Sequence, residues 1–405
     1  MTRIRLIMLC ILAVLAVSAI SAVSSASASA AAACYKVAEP KTGTFSNEEC
    51  TETVGAKEYI KAEPVTRIKA SEWCAKVAVA GTGNYENNAC TTKVAAKEYI
   101  KVLLPCYKVA VAGTGNLDSS CSTDTGATAK EYIEVLKLET QLKSGEWCAK
   151  VETAGTGNYE NNACTTKVAA KEFIKVLVPE FEHCVKQTGG KWMAGCKASG
   201  TEFEKVSVPS GSKITFTDKE GVSNFYATNS TGGAVVFTCT GDTSKGEITG
   251  PTTTAKVTVT FTGCTAKEEA KAACSANSKG EPAGTIKTNG LRDTLGTVAK
   301  AEATSEVGEA LEPEGTEGFV TLEATCIAIT KAQVSGSVIG EVKPINVMAA
   351  AGELIFECET PKSEKQKIQK FVGFPKDTLS DFANPACFES EAEITFAEPI
   401  EVAYP

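Results

Sequence analysis

Cysteine and histidine carry the most chemistry in this chain: 17 cysteines stand against one histidine, His183, in 405 residues. Thiols and imidazoles can ligate zinc, attack carbonyls or, for cysteine, pair as disulfides, and spacing separates these uses. No Cys-x-x-Cys occurs, and a single imidazole cannot complete a Cys/His set, so no metal is expected. A Ser-His-Asp or Cys-His arrangement would have to use His183, which directly precedes a cysteine and has no G-x-S-x-G context. Neither a nucleotide-binding glycine loop nor His-Glu-x-x-His is present, so no cofactor and no catalytic residue is assigned. His183 reads as an exposed residue at a module boundary. Disulfide pairing remains.

The count supports pairing once the leader is removed. Met1 to Ala33 has Arg3 and Arg5, an apolar run from Leu6 to Ile20 and a Ser/Ala stretch, the pattern of a secretory signal. At 15 residues the run is short for a membrane span, which takes about 20. Without Cys10, Arg3 and Arg5 the chain has 16 cysteines and a formal charge of -10. An even cysteine number in an exported chain implies complete pairing. Only Arg67 and Arg292 remain as arginines in this acidic chain, which excludes a phosphate-tracking surface and nucleic-acid binding. The expected location is secreted or cell surface, with no membrane span after signal removal. No anchor or sorting signal is read in Glu391 to Pro405.

Ten of the cysteines bracket five repeats. Glu72 to Pro105 and Glu146 to Pro179 are 34-residue copies that differ at four positions. Diverged copies start at Cys34 and Cys106, and a shortened one runs from Cys184 to Val206. The frame is Cys-x-Lys-Val, a glycine turn, a second cysteine, then Lys-Glu-Tyr/Phe-Ile-Lys, which reads as a small hairpin-like β-module. Units of this size cannot bury enough apolar surface alone, and each is expected to be stapled: Cys34–Cys50, Cys74–Cys90, Cys106–Cys121, Cys148–Cys164 and Cys184–Cys196. Closing a loop of about 15 residues is worth about 3 kcal/mol.

Trp73 and Trp147 precede the first cysteines of their copies, and Tyr85 and Tyr159 sit in the turns. Exposed in register they would be a sugar-stacking platform; folded inward they would cover their own disulfides. They are the candidate ligand-binding residues.

From about Ser207, short runs such as AKVTVTFT (255–262), FVTLEATCIAIT (319–330), QVSGSVIGEV (333–342) and EITFA (393–397) alternate apolar with polar or small residues. Turn residues separate them, the pattern of a β-sandwich or barrel. Lys267 to Ala273 reads as a helix and Glu302 to Gly318 as an exposed loop. Six cysteines fall here, and the expected pairs are Cys264–Cys274, Cys239–Cys326 and Cys358–Cys387.

The runs STGGAVVFTCT (230–240), VTVTFTGCTA (257–266), GTIKTNGLRDTLGTVAKAE (284–302) and VSGSVIGEVKPIN (334–346) resemble a group of exported actinobacterial proteins of unknown function. Those proteins also join a cysteine-bracketed segment to a β-rich half. The resemblance implies no activity and carries no functional residue over.

The expectation is therefore an all-β chain: a signal peptide (1–33), four repeats (34–182), a fifth, shortened repeat (183–206) and a β-sandwich or barrel domain (207–405). Its expected role is non-enzymatic, in extracellular interaction or envelope structure, with an extracellular protein or a glycan as partner. A glycan-binding protein using the repeat aromatics is the alternative, and a secreted glycoside hydrolase with an unrecognised carboxylate pair the further one.

Overall fold

A computed structural model describes residues 33–404 except for short stretches, of which 46–49, 54–56, 122–129, 152–154, 300–302, 325–331 and 375–377 run to three or more residues. The leader lies outside the described residues. Among these, every regular element is a strand.

The first two repeats build one closed unit. Its strands are β1 (Ala33–Val37), β2 (Tyr59–Lys69), β3 (Glu72–Val77), β4 (Gly83–Tyr85), β5 (Lys93–Lys97) and β6 (Tyr99–Leu103). β2 is long enough to bond β1 through residues 59–62 and β3 through 62–69, and β6 bonds both β3 and β1. The four strands thus close on themselves around Tyr35, Val37, Ile60, Ala62, Trp73, Ala75, Ile100 and Val102. Closure leaves no free edge and supplies a shared core, which one repeat is too small to supply. β4 and β5 form a flap on β6, where Gly83 is needed: a Cβ there would lie 2.5 Å from the Tyr99 carbonyl oxygen.

Repeats three and four do the same with β7 (Cys106–Val109), β8 (Tyr132–Lys143), β9 (Glu146–Val151), β10 (Gly157–Tyr159), β11 (Lys167–Lys171) and β12 (Phe173–Leu177). Here β7, β8, β9 and β12 close around Val109, Ile133, Val135, Ala149, Ile174 and Val176. The fifth copy spans β13 (Glu180–Lys186) and β14 (Phe203–Ser207) and is fused to the barrel through β13.

The remaining strands are β15 (Ile214–Glu220), β16 (Ser223–Thr228), β17 (Ala234–Cys239), β18 (Gly241–Ile248), β19 (Thr253–Thr262), β20 (Thr265–Glu268), β21 (Cys274–Ser278), β22 (Thr285–Lys287), β23 (Leu291–Thr297), β24 (Val307–Pro313), β25 (Val320–Ala324), β26 (Ala332–Ser335), β27 (Val338–Lys343), β28 (Ala349–Phe356), β29 (Ser380–Asp381), β30 (Asn384–Pro385) and β31 (Cys387–Ala403). Among the described residues eight of them close into an antiparallel barrel in the order β15, β18, β19, β23, β24, β27, β28, β31. The 17-residue β31 closes the ring by bonding β28 and β15, and also bonds β13 and β16.

All five repeat disulfides pair as expected from the spacing, and so does Cys358–Cys387. The second cysteine of every copy has φ between 46° and 56°, so the shortened fifth copy keeps the same left-handed turn as the others. Two expected pairs are corrected. Cys239 bonds Cys264, because the β18–β19 hairpin pairs Gly241 with Thr262 and so brings the flanking cysteines within 4.0 Å (Cα–Cα). Cys274 is disulfide-bonded but sits opposite Ala266 in its own hairpin, out of register with Cys264. Cys326 lies outside the described residues.

Two local readings are corrected as well. Within the expected helix, Lys267 and Glu268 belong to β20, where pairing with β17 overrides the helix preference of Lys, Glu and Ala. The expected exposed loop contains β24, a fully integrated barrel strand between β23 and β27. Its glutamates give the strand a loop-like composition because their partners are distant in sequence. Glu312 meets Lys36 of β1 at 3.0 Å and Arg292 of β23 at 3.1 Å, and Arg292 also meets Glu58 at 3.1 Å. This cluster fixes the first closed unit to the barrel wall.

Candidate functional site

The four repeat aromatics are turned inward. Trp73 is 6% exposed in the first closed core, and Tyr85 and Tyr159 pack on the disulfides of their own copies. Trp147 is partly buried against the second core. The Tyr85 hydroxyl donates to Glu39, and the ammonium groups of Lys101 and Lys175 lie over the Tyr85 and Tyr159 rings at 5.2 and 5.5 Å. These rings complete small cores.

Both indole N–H groups serve a repeated joint. Trp73 Nε1–H donates to Glu134 Oε2 at 3.1 Å, while the Ser71 amide and the Arg67 guanidinium donate to Glu134 Oε1 at 2.7 and 3.0 Å. In the second unit Trp147 Nε1–H donates to Glu180, whose other oxygen accepts from Gln141, Ser207 and the Gly145 amide. At each joint the hairpin turn of one unit surrounds a carboxylate of the next. The backbone repeats this: Leu104 N–H donates to Ser71 and Val178 N–H to Gly145. Multiple donors compensate the burial of each charge.

His183 is not an exposed boundary residue: it is a β13 residue, 18% exposed at its side chain, with Nδ1 2.9 Å from Glu398 Oε1.

An apolar concavity lies inside the barrel. A cavity of about 140 Å³ is lined by Phe216, Phe237, Val257, Leu291, Leu311 and Phe356 among other apolar residues. Lys343, Pro344 and Val347 also line it, with Val347 half exposed. Within this mostly apolar lining Asp218, Ser244, Thr254, Asp293 and Glu309, contributed by five adjacent strands, form a polar wall, and Asn224, Thr288, Lys343 and Glu353 also line the space. Alternation places them there: Leu291, Asp293 and Leu295 share the inward phase of β23, as Val307, Glu309 and Leu311 share that of β24.

Asp293 is 4% exposed and Glu309 6%. Asp293 Oδ2 accepts from Thr254 Oγ1 at 2.7 Å, whereas its Oδ1 has no hydrogen-bond partner. Asp218 is bonded to Ser244 through one oxygen, and its Oδ1 also lacks a partner. Burial, then the neighbouring acids Glu312, Asp218 and Glu314, push the Asp293 carboxyl up against the pull of Thr254. Burial and then Asp293 push the Glu309 carboxyl well up, and burial raises Asp218. The charges that raise Asp293 and Glu309 belong to other carboxylates. The wall therefore holds protons tightly and presents acceptor oxygens to an apolar space.

None of these three acids was singled out from the sequence. The available signal was a carboxylate on the inward phase of an apolar strand, as in Leu291-Arg292-Asp293-Thr294-Leu295. Among the described residues no group of three or more His, Cys, Asp or Glu side chains is arranged to hold a metal ion, and no helix is long and apolar enough to cross a membrane. Comparison with protein families, curated proteins and solved structures gives no match.

Proposed function

We propose that this chain is an exported, non-enzymatic binding protein of the extracellular space or cell envelope, in which two closed repeat units brace a barrel that takes a small ligand into its interior. The single observation that carries this reading is the apolar chamber with the partnerless Asp293 oxygen. Apolar space inside a barrel with a few convergent polar groups is the usual form of a small-molecule site. The disulfides suit an oxidising compartment. Export belongs to the same proposal, as does the resemblance to exported actinobacterial proteins. The inward rings weigh against the glycan platform, and a chamber of about 140 Å³ is too small for two sugars flanking a bond, which weighs against the hydrolase reading.

A cavity of about 150 Å³ with aliphatic walls holds benzene. Toluene, measured by calorimetry and thermal shift, is therefore the direct probe. Saturable binding at one site per chain, lost in the chamber-filling variant Ala392→Phe, is expected. Absence of toluene binding to the native chain would overturn the reading.

A further inference from the structure

We infer that the chamber's ligand is a small organic cation: an ammonium attached to a compact apolar body about as large as one six-membered ring. This rests on the reading of the barrel as a ligand chamber. It goes further by assigning the polar wall a partner.

The size follows from the space, which admits one ring and a short substituent. The charge follows from the wall. Three carboxyls, Asp218, Asp293 and Glu309, approach one another from β15, β23 and β24, with the hydroxyls of Ser244 and Thr254 beside them; Glu353 adds a further acid to the lining and Lys343 its one cation among the described residues. The nearby cations are engaged elsewhere: Arg292 follows the outward phase of β23 to Glu58 and Glu312, and Lys343 bonds Glu341 at 3.4 Å. A neutral donor would satisfy Asp293 Oδ1 and leave the wall protonated, whereas a cation favours its ionised form. An ammonium supplies both the hydrogen bond and the opposite charge, and charge-assisted bonds are the stronger kind in a dry site. The apolar body meanwhile covers Leu291, Val257 and the phenyl rings opposite.

The groups facing Asp293 are Glu309 and Asp218 on neighbouring walls and Thr254 across the β19–β23 pair, with Glu312 and Glu314 acting from outside. All of the titratable ones are acids. Acidification therefore converts the wall to its neutral form and removes the preference for a cation, while Lys343 of the lining stays paired with Glu341.

The test uses the full chain with benzylamine, benzyl alcohol and toluene as probes, by calorimetry at pH 8 and pH 5. Benzylamine is expected to bind at least tenfold more tightly than toluene at pH 8, with the advantage falling several-fold at pH 5. Asp293→Asn and Glu309→Gln should each lose tenfold in benzylamine affinity and keep toluene affinity, which also reports that the barrel is folded. Toluene binding without an amine preference would overturn the cation assignment and leave the chamber reading standing. Binding of none of the probes would overturn both. Retained amine preference in the double variant Asp293→Asn/Glu309→Gln would place the recognition elsewhere and refute the role of this wall.

Discussion

Replacing Glu312 by Gln removes a carboxylate that pairs with Lys36 of the first closed unit and with Arg292 of the barrel. Lys36 and Arg292 hold its carboxyl down at about 2 against an ordinary 4.5, although burial acts in the opposite direction. A difference of about 2.5 units at roughly 1.4 kcal/mol per unit gives about 3 kcal/mol of stability. The side chain is 16% exposed, so solvent screening removes little of this. The variant also leaves Lys36 and Arg292 with Glu58 alone, at 3.9 and 3.1 Å. Because the folded carboxyl is depressed, its contribution is complete above about pH 4.5 and is lost as the pH falls through about 2. Denaturant unfolding with disulfides intact should therefore show Glu312→Gln weaker by about 3 kcal/mol at pH 7 and by less than about 1 kcal/mol at pH 2.5. Equal stability at pH 7, or a gap that persists on acidification, would refute the reasoning.

Three further outcomes are expected. Trp73→Phe keeps the ring but removes the indole donor to Glu134, so it should cost about 1–2 kcal/mol in denaturant unfolding; a neutral effect would mean that the joint does not depend on this bond. Glu309→Gln should raise the melting temperature at pH 8 and leave it unchanged at pH 4. A carboxyl raised on folding stabilises only below its unfolded value and costs stability as pH rises toward its folded one, so a lower melting temperature at pH 8 contradicts this assignment. Non-reducing peptide mapping should recover Cys239 linked to Cys264, and a Cys264–Cys274 peptide would show that the β18–β19 register is wrong.

The all-β class, the five stapled copies and their cysteine partners were legible because each signal is local: a spacing, a turn and a strand pattern within about 40 residues. What escaped depends on long-range closure. Nothing in Tyr59 to Lys69 announces that this strand will bond two neighbours, and Pro64 in its middle argues against it. Trp73 and Trp147 were recognised as special by type and position, but their direction is set by Glu134 and Glu180, residues 61 and 33 positions away. Gly336 divides the single run read over 333–342 into β26, which pairs with β25 and β29, and β27, which pairs with β24 and β28. The acid wall was hidden for the opposite reason: abundant Asp and Glu made each carboxylate unremarkable until alternation placed three of them indoors.

Closure in pairs also bears on how such a gene can change. Glu72 and Glu146 open the near-identical copies 74 positions apart, and each copy provides the second half of a ring. Unequal crossing-over between these copies would remove or insert a 74-residue block in frame. A deletion would join β1 and β2 to the strands of the fourth copy, whose sequence already matches what they bond now, and an insertion would add one complete ring with its own joint. Length variation in multiples of one ring, and never of one repeat, is the inheritance pattern that this architecture permits.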